Sequence, residues 1–297
     1  MTFRLEAEEA LATGLGRAAA EEIRRARGAL LAQADPEGGV LEARKSLKKV
    51  RAILRLSRAP LGKRRFRAEN HRYRDLTRRL AEQRAGAVRV QTLDGLAEGL
   101  NGRAPMRVLQ ASRRRLVPRR RRYDDATVRA DVAETLAEAR PGIEALPFEG
   151  FKAVRPGLTR TYRKGQKRMH KAIERPSTAA FHDWRKRVKD LWYQIRLFGH
   201  AWPETLGSLA DELHLLSDRL GDGHDLDLLE SALKDEARSD SLFDPSPLLP
   251  AIDEVRAAKR DAAIVLGRRL YAEDPEGFAA RVEAYWRTWR EAERPAG

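Results

Sequence analysis

Ala43-Arg44-Lys45-Ser46-Leu47-Lys48-Lys49-Val50-Arg51 and Trp184-Arg185-Lys186-Arg187-Val188-Lys189-Asp190-Leu191-Trp192 are two versions of one pattern, 141 residues apart. In each, apolar side chains recur at three- and four-residue spacing while basic ones take the neighbouring edge, as on an amphipathic helix. In the first copy Ala43, Leu47, Val50 and Leu54 form the apolar stripe, and Arg44, Lys48, Arg51 and Arg55 form the basic row beside it. In the second, Trp184, Val188, Leu191 and Ile195 lie beside Arg185, Lys189 and Arg196, with His182 one turn earlier.

A further pair of matches lies upstream. Gly14-Leu15-Gly16-Arg17 corresponds to Gly157-Leu158-Thr159-Arg160, with Arg24 opposite Lys167, at an offset of 143 residues. The difference between the two offsets falls in the intervening loop. A duplication of this kind predicts two equivalent helical bundles, residues 1–147 and 148–297 with the boundary near Pro147, packed about a pseudo-two-fold axis. Alternating β-branched runs are absent, and Ala, Leu, Arg and Glu dominate. Breakers such as Pro36-Glu37-Gly38-Gly39, Pro60-Leu61-Gly62, Pro141-Gly142, Pro176-Ser177 and Gly221-Asp222-Gly223 divide the chain into roughly ten helices of an all-α fold.

Composition narrows the function classes. A chain of 297 residues that is 42% hydrophobic buries a sizeable core. Lys and Arg number 59 against 44 Asp and Glu, a net charge of +15, so the surface potential favours anionic partners. With no cysteine, disulfides, thiolate metal sites and a cysteine nucleophile are excluded. No apolar run is long enough to cross a bilayer, and Met1-Thr2-Phe3-Arg4-Leu5-Glu6 turns acidic before a signal region could form. The expectation is a cytoplasmic protein, neither secreted nor membrane-spanning.

A third basic row, Arg160, Lys164, Lys167 and Lys171, precedes the second copy, flanked by Arg163 and Arg168; Glu174 is the only acid between Arg160 and Arg175. Like charges one turn apart destabilise an isolated helix by a few tenths of a kcal/mol per pair, and a solvated face intersperses acids. One such row reads as ordinary surface. Three rows, two of them related by duplication, point to a polyanion. Basic groups about 6 Å apart suit a linear chain of phosphates, each held by charge-assisted hydrogen bonds. The run Arg113-Arg114-Arg115-Leu116-Val117-Pro118-Arg119-Arg120-Arg121-Arg122 reads as an exposed basic segment, with a nuclear-targeting or nucleic-acid tail as its alternative.

His182-Asp183 and His224-Asp225 raise the alternative of an HD-type metal phosphohydrolase, which needs several further converging ligands. Asp225 instead suits an N-cap after the Gly221-Asp222-Gly223 break. His71, His170, His200 and His214 read as ordinary surface or half-buried residues, and Trp184, Trp192 and Tyr193 fit a core better than base-stacking platforms. There is no P-loop, no His-Glu-x-x-His pair and no Gly-x-Ser-x-Gly elbow, so no catalytic residue, metal site or cofactor is expected.

Phe181-His182-Asp183-Trp184-Arg185-Lys186-Arg187-Val188-Lys189-Asp190-Leu191-Trp192-Tyr193 resembles the signature helix of the CHAD family, the conserved histidine α-helical domain. Leu220-Gly221-Asp222-Gly223-His224-Asp225-Leu226 resembles its second-half turn and Val40-Leu41-Glu42-Ala43-Arg44-Lys45 its first-half signature, so the likeness covers nearly the whole chain. It implies two four-helix bundles with internal pseudo-symmetry around a basic central surface or pore, a ligand of inorganic polyphosphate, and a place at polyphosphate granules. His182, Arg185, Lys186 and Lys189 fall on the signature positions, and Arg44, Lys45, Lys48 and Arg51 on their first-half counterparts. The chain departs where Leu41 stands for the family's first histidine, Ala85 for the counterpart of Asp225, and Trp192 for a frequent basic residue, which implies an asymmetric site.

The expected function is thus non-catalytic binding of inorganic polyphosphate through Arg17, Arg24, Arg44, Lys45, Lys48, Arg51, Arg55, Arg160, Arg163, Lys164, Lys167, Arg168, Lys171, His182, Arg185, Lys186, Lys189 and Arg196. His182 would donate best when protonated, so that affinity rises on acidification. A nucleic-acid binder is the second reading, and a metal-dependent polyphosphate or triphosphate hydrolase the third.

Overall fold

Asp35 ends the first interhelical turn by accepting a hydrogen bond from Gly38 N (2.9 Å), with Pro36 at the first helical position, and a new helix starts there. Ser177 and Asp274 cap two later helices in the same way. The computed structural model describes residues 3–32, 34–81, 85–100, 105–117, 125–144, 148 and 150–293. Among the described residues there are eleven α-helices and no strand: α1 (Leu11–Leu31), α2 (Pro36–Leu56), α3 (Arg58–Arg79, kinked at Gly62), α4 (Ala85–Gly99), α5 (Met106–Leu116), α6 (Asp125–Glu144), α7 (Arg155–Glu174), α8 (Thr178–Leu197), α9 (Pro203–Ser239), α10 (Leu249–Leu270) and α11 (Pro275–Ala292).

The two copies of the repeat are α2 and α8. Their packing partners also correspond: α1 packs on α2 and α6 as α7 packs on α8 and α11, while α3 follows α2 as α9 follows α8. Between the halves α2 lies against both α8 and α7. Their apolar stripes enter one continuous core, in which Leu47, Ile53 and Leu54 share a cluster with Leu158, Tyr162, Trp184 and Val188. That core does not divide at the expected boundary; Pro147 itself lies outside the described residues. The basic stretch Pro118 to Arg122 lies outside them too.

Two breakers did not break. Pro141-Gly142 lies inside α6, and Gly221-Asp222-Gly223 lies inside α9, which continues for 37 residues. Asp225 is therefore mid-helix rather than an N-cap. α4 and α5 depart from the repeat: Leu93, Leu96, Leu109 and Leu116 form a second cluster with Leu226, Leu229, Leu233 and Ile252 on the far end of α9 and α10. The extra length of α9 is what these two helices cover.

The halves meet closely at Gly157, where a Cβ would stand 2.0 Å from the Leu56 carbonyl oxygen, so only glycine lets α7 and α2 approach this near. A Gly157→Val variant is expected to lose about 3 kcal/mol or more of stability, since helix must part from helix along a packed seam. Urea melts check this; a loss under about 1 kcal/mol would contradict the close approach.

Candidate functional site

Helices α2 and α8 run side by side, tied by Gln194 Nε2, which donates to the Ala52 carbonyl oxygen (3.1 Å). Because their apolar stripes go to the core, the adjacent basic edges face the same seam. Lys48 and Lys189 occupy equivalent positions of the repeat, 189 − 48 = 141 residues apart, and the structure brings both into this seam. Burial pushes Lys48 down to about 7, helped by the nearby charges of Lys189, Arg44, Arg185 and Arg51. Burial likewise pushes Lys189 down to about 8; Arg185 and Lys45 add to this, and Asp218 and Asp225 oppose it. Arg51 and Arg55 are pushed the same way by burial, although a guanidinium keeps its proton far above neutral pH.

Among the described residues no carboxylate stands within ion-pair distance of Lys48, Arg51, Arg185 or Lys189. Arg51 Nε donates only to Asn70 Oδ1 (3.3 Å) on α3. Four basic groups held together with no carboxylate in contact raise the free energy of the folded state unless an anion joins them.

One carboxylate does enter the seam, nearer the end of α2. Asp190, buried on α8, takes Arg55 on Oδ1 (3.2 Å) and Arg187 on Oδ2 (2.8 Å). Beyond it the positive charge resumes. Lys164 of α7 is lowered by burial and by Arg187, Arg160, Arg58 and Arg55, which places all five in one neighbourhood. The basic groups of α2, α8 and α7 thus form a band along the junction of the halves.

At the opposite end of α8 the rings of His182 and His224 lie 4.2 Å apart at 30°. Arg185 reaches the same spot: a Cβ on Gly221 would stand 2.7 Å from its Nη2, so the Gly-Asp-Gly stretch makes room for a guanidinium instead of turning the chain. Arg185 Nε and the Nδ1 atoms of both histidines are buried without a hydrogen-bond partner, three polar atoms in one place that a ligand oxygen or water would satisfy. Burial first, then His224, Lys186 and Arg185, push His182 down to about 4, and His224 shifts the same way. The expected role of a protonated His182 is thereby corrected for the free protein: near pH 6 it is neutral and can donate only as imidazole.

Several expected residues are turned to other tasks. Arg17 clasps Glu9 (2.6 Å) and Glu21 (3.2 Å) and donates to the Arg4 carbonyl oxygen, fastening the N-terminal segment to α1. Arg24 is exposed on the side of α1 away from its buried face. Arg163 is bound by Glu276 of α11, while Arg168 and Lys186 share Asp183 (3.6 and 3.2 Å). Lys167 and Lys171 are exposed on α7, and Lys45, 3.9 Å from Glu42, joins Arg196 at the mouth of the seam. Residues the sequence reading passed over also belong to the band: Arg58, Arg74 and Arg187, with His224 beside His182. The signal for the first two was visible, since eight arginines crowd residues 58–79.

Ligand-free stability should carry the mark of the two lysines. An unfolded lysine titrates near 10.4, well above about 7 and about 8, so between these values the unfolded chain holds more protons than the folded one. Stability therefore rises with pH through this window. From pH 7 to about 9 the expected gain is on the order of 2 kcal/mol after solvent screening, read by urea melts at low salt. A fall over the same range would contradict the assignment.

Among the described residues no three His, Asp or Glu side chains gather as a metal cluster, and no helix is long and apolar enough to cross a membrane. The family model for the CHAD domain matches residues 14–234 of the chain. No curated protein matches it.

Proposed function

Since this chain belongs to the CHAD domain family, we propose that it binds inorganic polyphosphate, without catalysis, along the seam between α2 and α8. One observation carries this reading. Lys48 and Lys189, duplicated positions on duplicated helices, are crowded together with Arg51 and Arg185 and lack a carboxylate in contact. A chain of phosphates supplies closely spaced negative charge to such a seam and recharges both ammonium groups. The unpartnered Arg185 Nε and histidine Nδ1 atoms extend the track toward α9. As a non-catalytic binder the chain would act in the cytoplasm, where polyphosphate granules form.

Long-chain polyphosphate titrated at several salt concentrations tests the reading. With four seam cations each displacing a counterion, log K should fall against log salt with a slope of about −3. Absence of binding, or affinity indifferent to salt, would overturn it. Single-stranded RNA competing equally at matched phosphate concentration would favour the nucleic-acid reading, to which the arginines of α3 and Arg113 to Arg115 lend charge. Incubation with Mg²⁺ or Mn²⁺ should release no phosphate above background; release that scales with protein would favour the hydrolase.

A further inference from the structure

A cavity of about 600 Å³ opens at the mouth of the seam, between α2, α8 and the start of α9, and its lining is unlike the seam itself. Trp192 and Tyr193 form one wall, stacked with ring centroids 4.7 Å apart, and the His214 ring meets Trp192 edge-on at 4.3 Å. Arg4, Lys45, Lys49 and Arg196 stand at the cavity together with two carboxylates, Glu42 and Asp211, and Lys49 is held by Glu22 (2.9 Å). Lys189 reaches from the seam to within 6.0 Å of the Trp192 ring, so seam and cavity share a residue.

An inorganic phosphate chain has no use for an indole wall or for the hydrogen-bond acceptors that Glu42 and Asp211 offer. The same groups suit a flat heteroaromatic ring with amino and hydroxyl donors: the indole offers stacking, and the carboxylates accept hydrogen bonds. The volume is in the range of small-molecule sites. Cations at the seam side would meet a phosphate tail on the same molecule.

We propose that this cavity seats the base and ribose of a nucleoside polyphosphate whose phosphates enter the seam at Lys45 and Lys189. The inference rests on the anionic reading of the seam and adds a ligand class to it. It also gives Trp192 a task, where the sequence alone suggested core.

The test compares ATP with inorganic tripolyphosphate by calorimetry on the whole chain in metal-free buffer at fixed salt. Gly207 lines the cavity, and a Cβ there meets nothing within 4 Å, so a Gly207→Phe variant fills the space while every seam cation keeps its own side chain. ATP is expected to bind at least about tenfold tighter than tripolyphosphate, as one stacked base provides. In Gly207→Phe and in Trp192→Leu that ratio should fall to near one, with tripolyphosphate affinity retained in Gly207→Phe. Tripolyphosphate binding with no advantage for ATP, or an advantage that survives both variants, overturns the nucleoside site while leaving the seam intact. If neither ligand binds, the seam reading itself fails.

Discussion

Replacing Lys48 and Lys189 together by methionine is expected to raise the melting temperature of the ligand-free protein and to weaken polyphosphate binding at least about 100-fold. Both effects come from one cause. The two lysines are half-buried beside Arg51 and Arg185 with no carboxylate in contact, so their charge opposes folding. Methionine fills a similar volume without charge, and exchanges of this kind stabilise by about 1–4 kcal/mol. For a chain of this size the melting temperature then rises by roughly 2 to 4 °C per kcal/mol. Two charge-assisted contacts to phosphate, each worth about 1.5–3 kcal/mol, are lost at the same time. Differential scanning calorimetry and a polyphosphate titration check the two halves of the prediction. A double variant that melts lower than the parent and binds as well would show the lysines to be structural.

Asp190→Asn is expected to move both quantities the other way. Asp190 is buried at the junction of α2 and α8 and takes Arg55 and Arg187 at once. Removing its charge leaves two half-buried guanidiniums without their counter-charge, a loss of about 2–3 kcal/mol after solvent screening. Those guanidiniums then become available to an anion. Polyphosphate should bind the variant more tightly than the parent, and saturating ligand should restore much of the lost stability through its preference for the folded state. Equal stability with and without the Asp190 carboxylate would remove it as the clasp between the halves.

The all-helical class was legible because three- and four-residue periodicity runs through α1, α2, α7 and α8 with few interruptions. The duplicated helix also singled out Lys48 and Lys189, which the structure brings near each other, since their spacing beside the apolar stripe leaves them one edge to occupy. Periodicity does not say which neighbour an edge will meet. Glu21, one turn from Arg17, was a visible partner; Glu276, which binds Arg163 from 113 residues away, was not. Gly221-Asp222-Gly223 read as a turn because glycine and aspartate favour turns locally. In the fold the glycine serves a tertiary need, the approach of Arg185, and α9 passes straight through. With that turn went the expected N-cap at Asp225 and any view of His182 beside His224.

Proton uptake on binding tests the central claim most directly, because only groups discharged in the free protein can take up protons when phosphate arrives. Calorimetry at pH 8 in two buffers of different ionisation enthalpy measures it for long-chain polyphosphate. With Lys48 near 7 and Lys189 near 8 in the free chain, the account predicts uptake of between about one and two protons per site. The Lys48→Met, Lys189→Met variant should take up essentially none. Tight binding by the parent with no proton uptake would contradict the claim that these two lysines receive the polyanion.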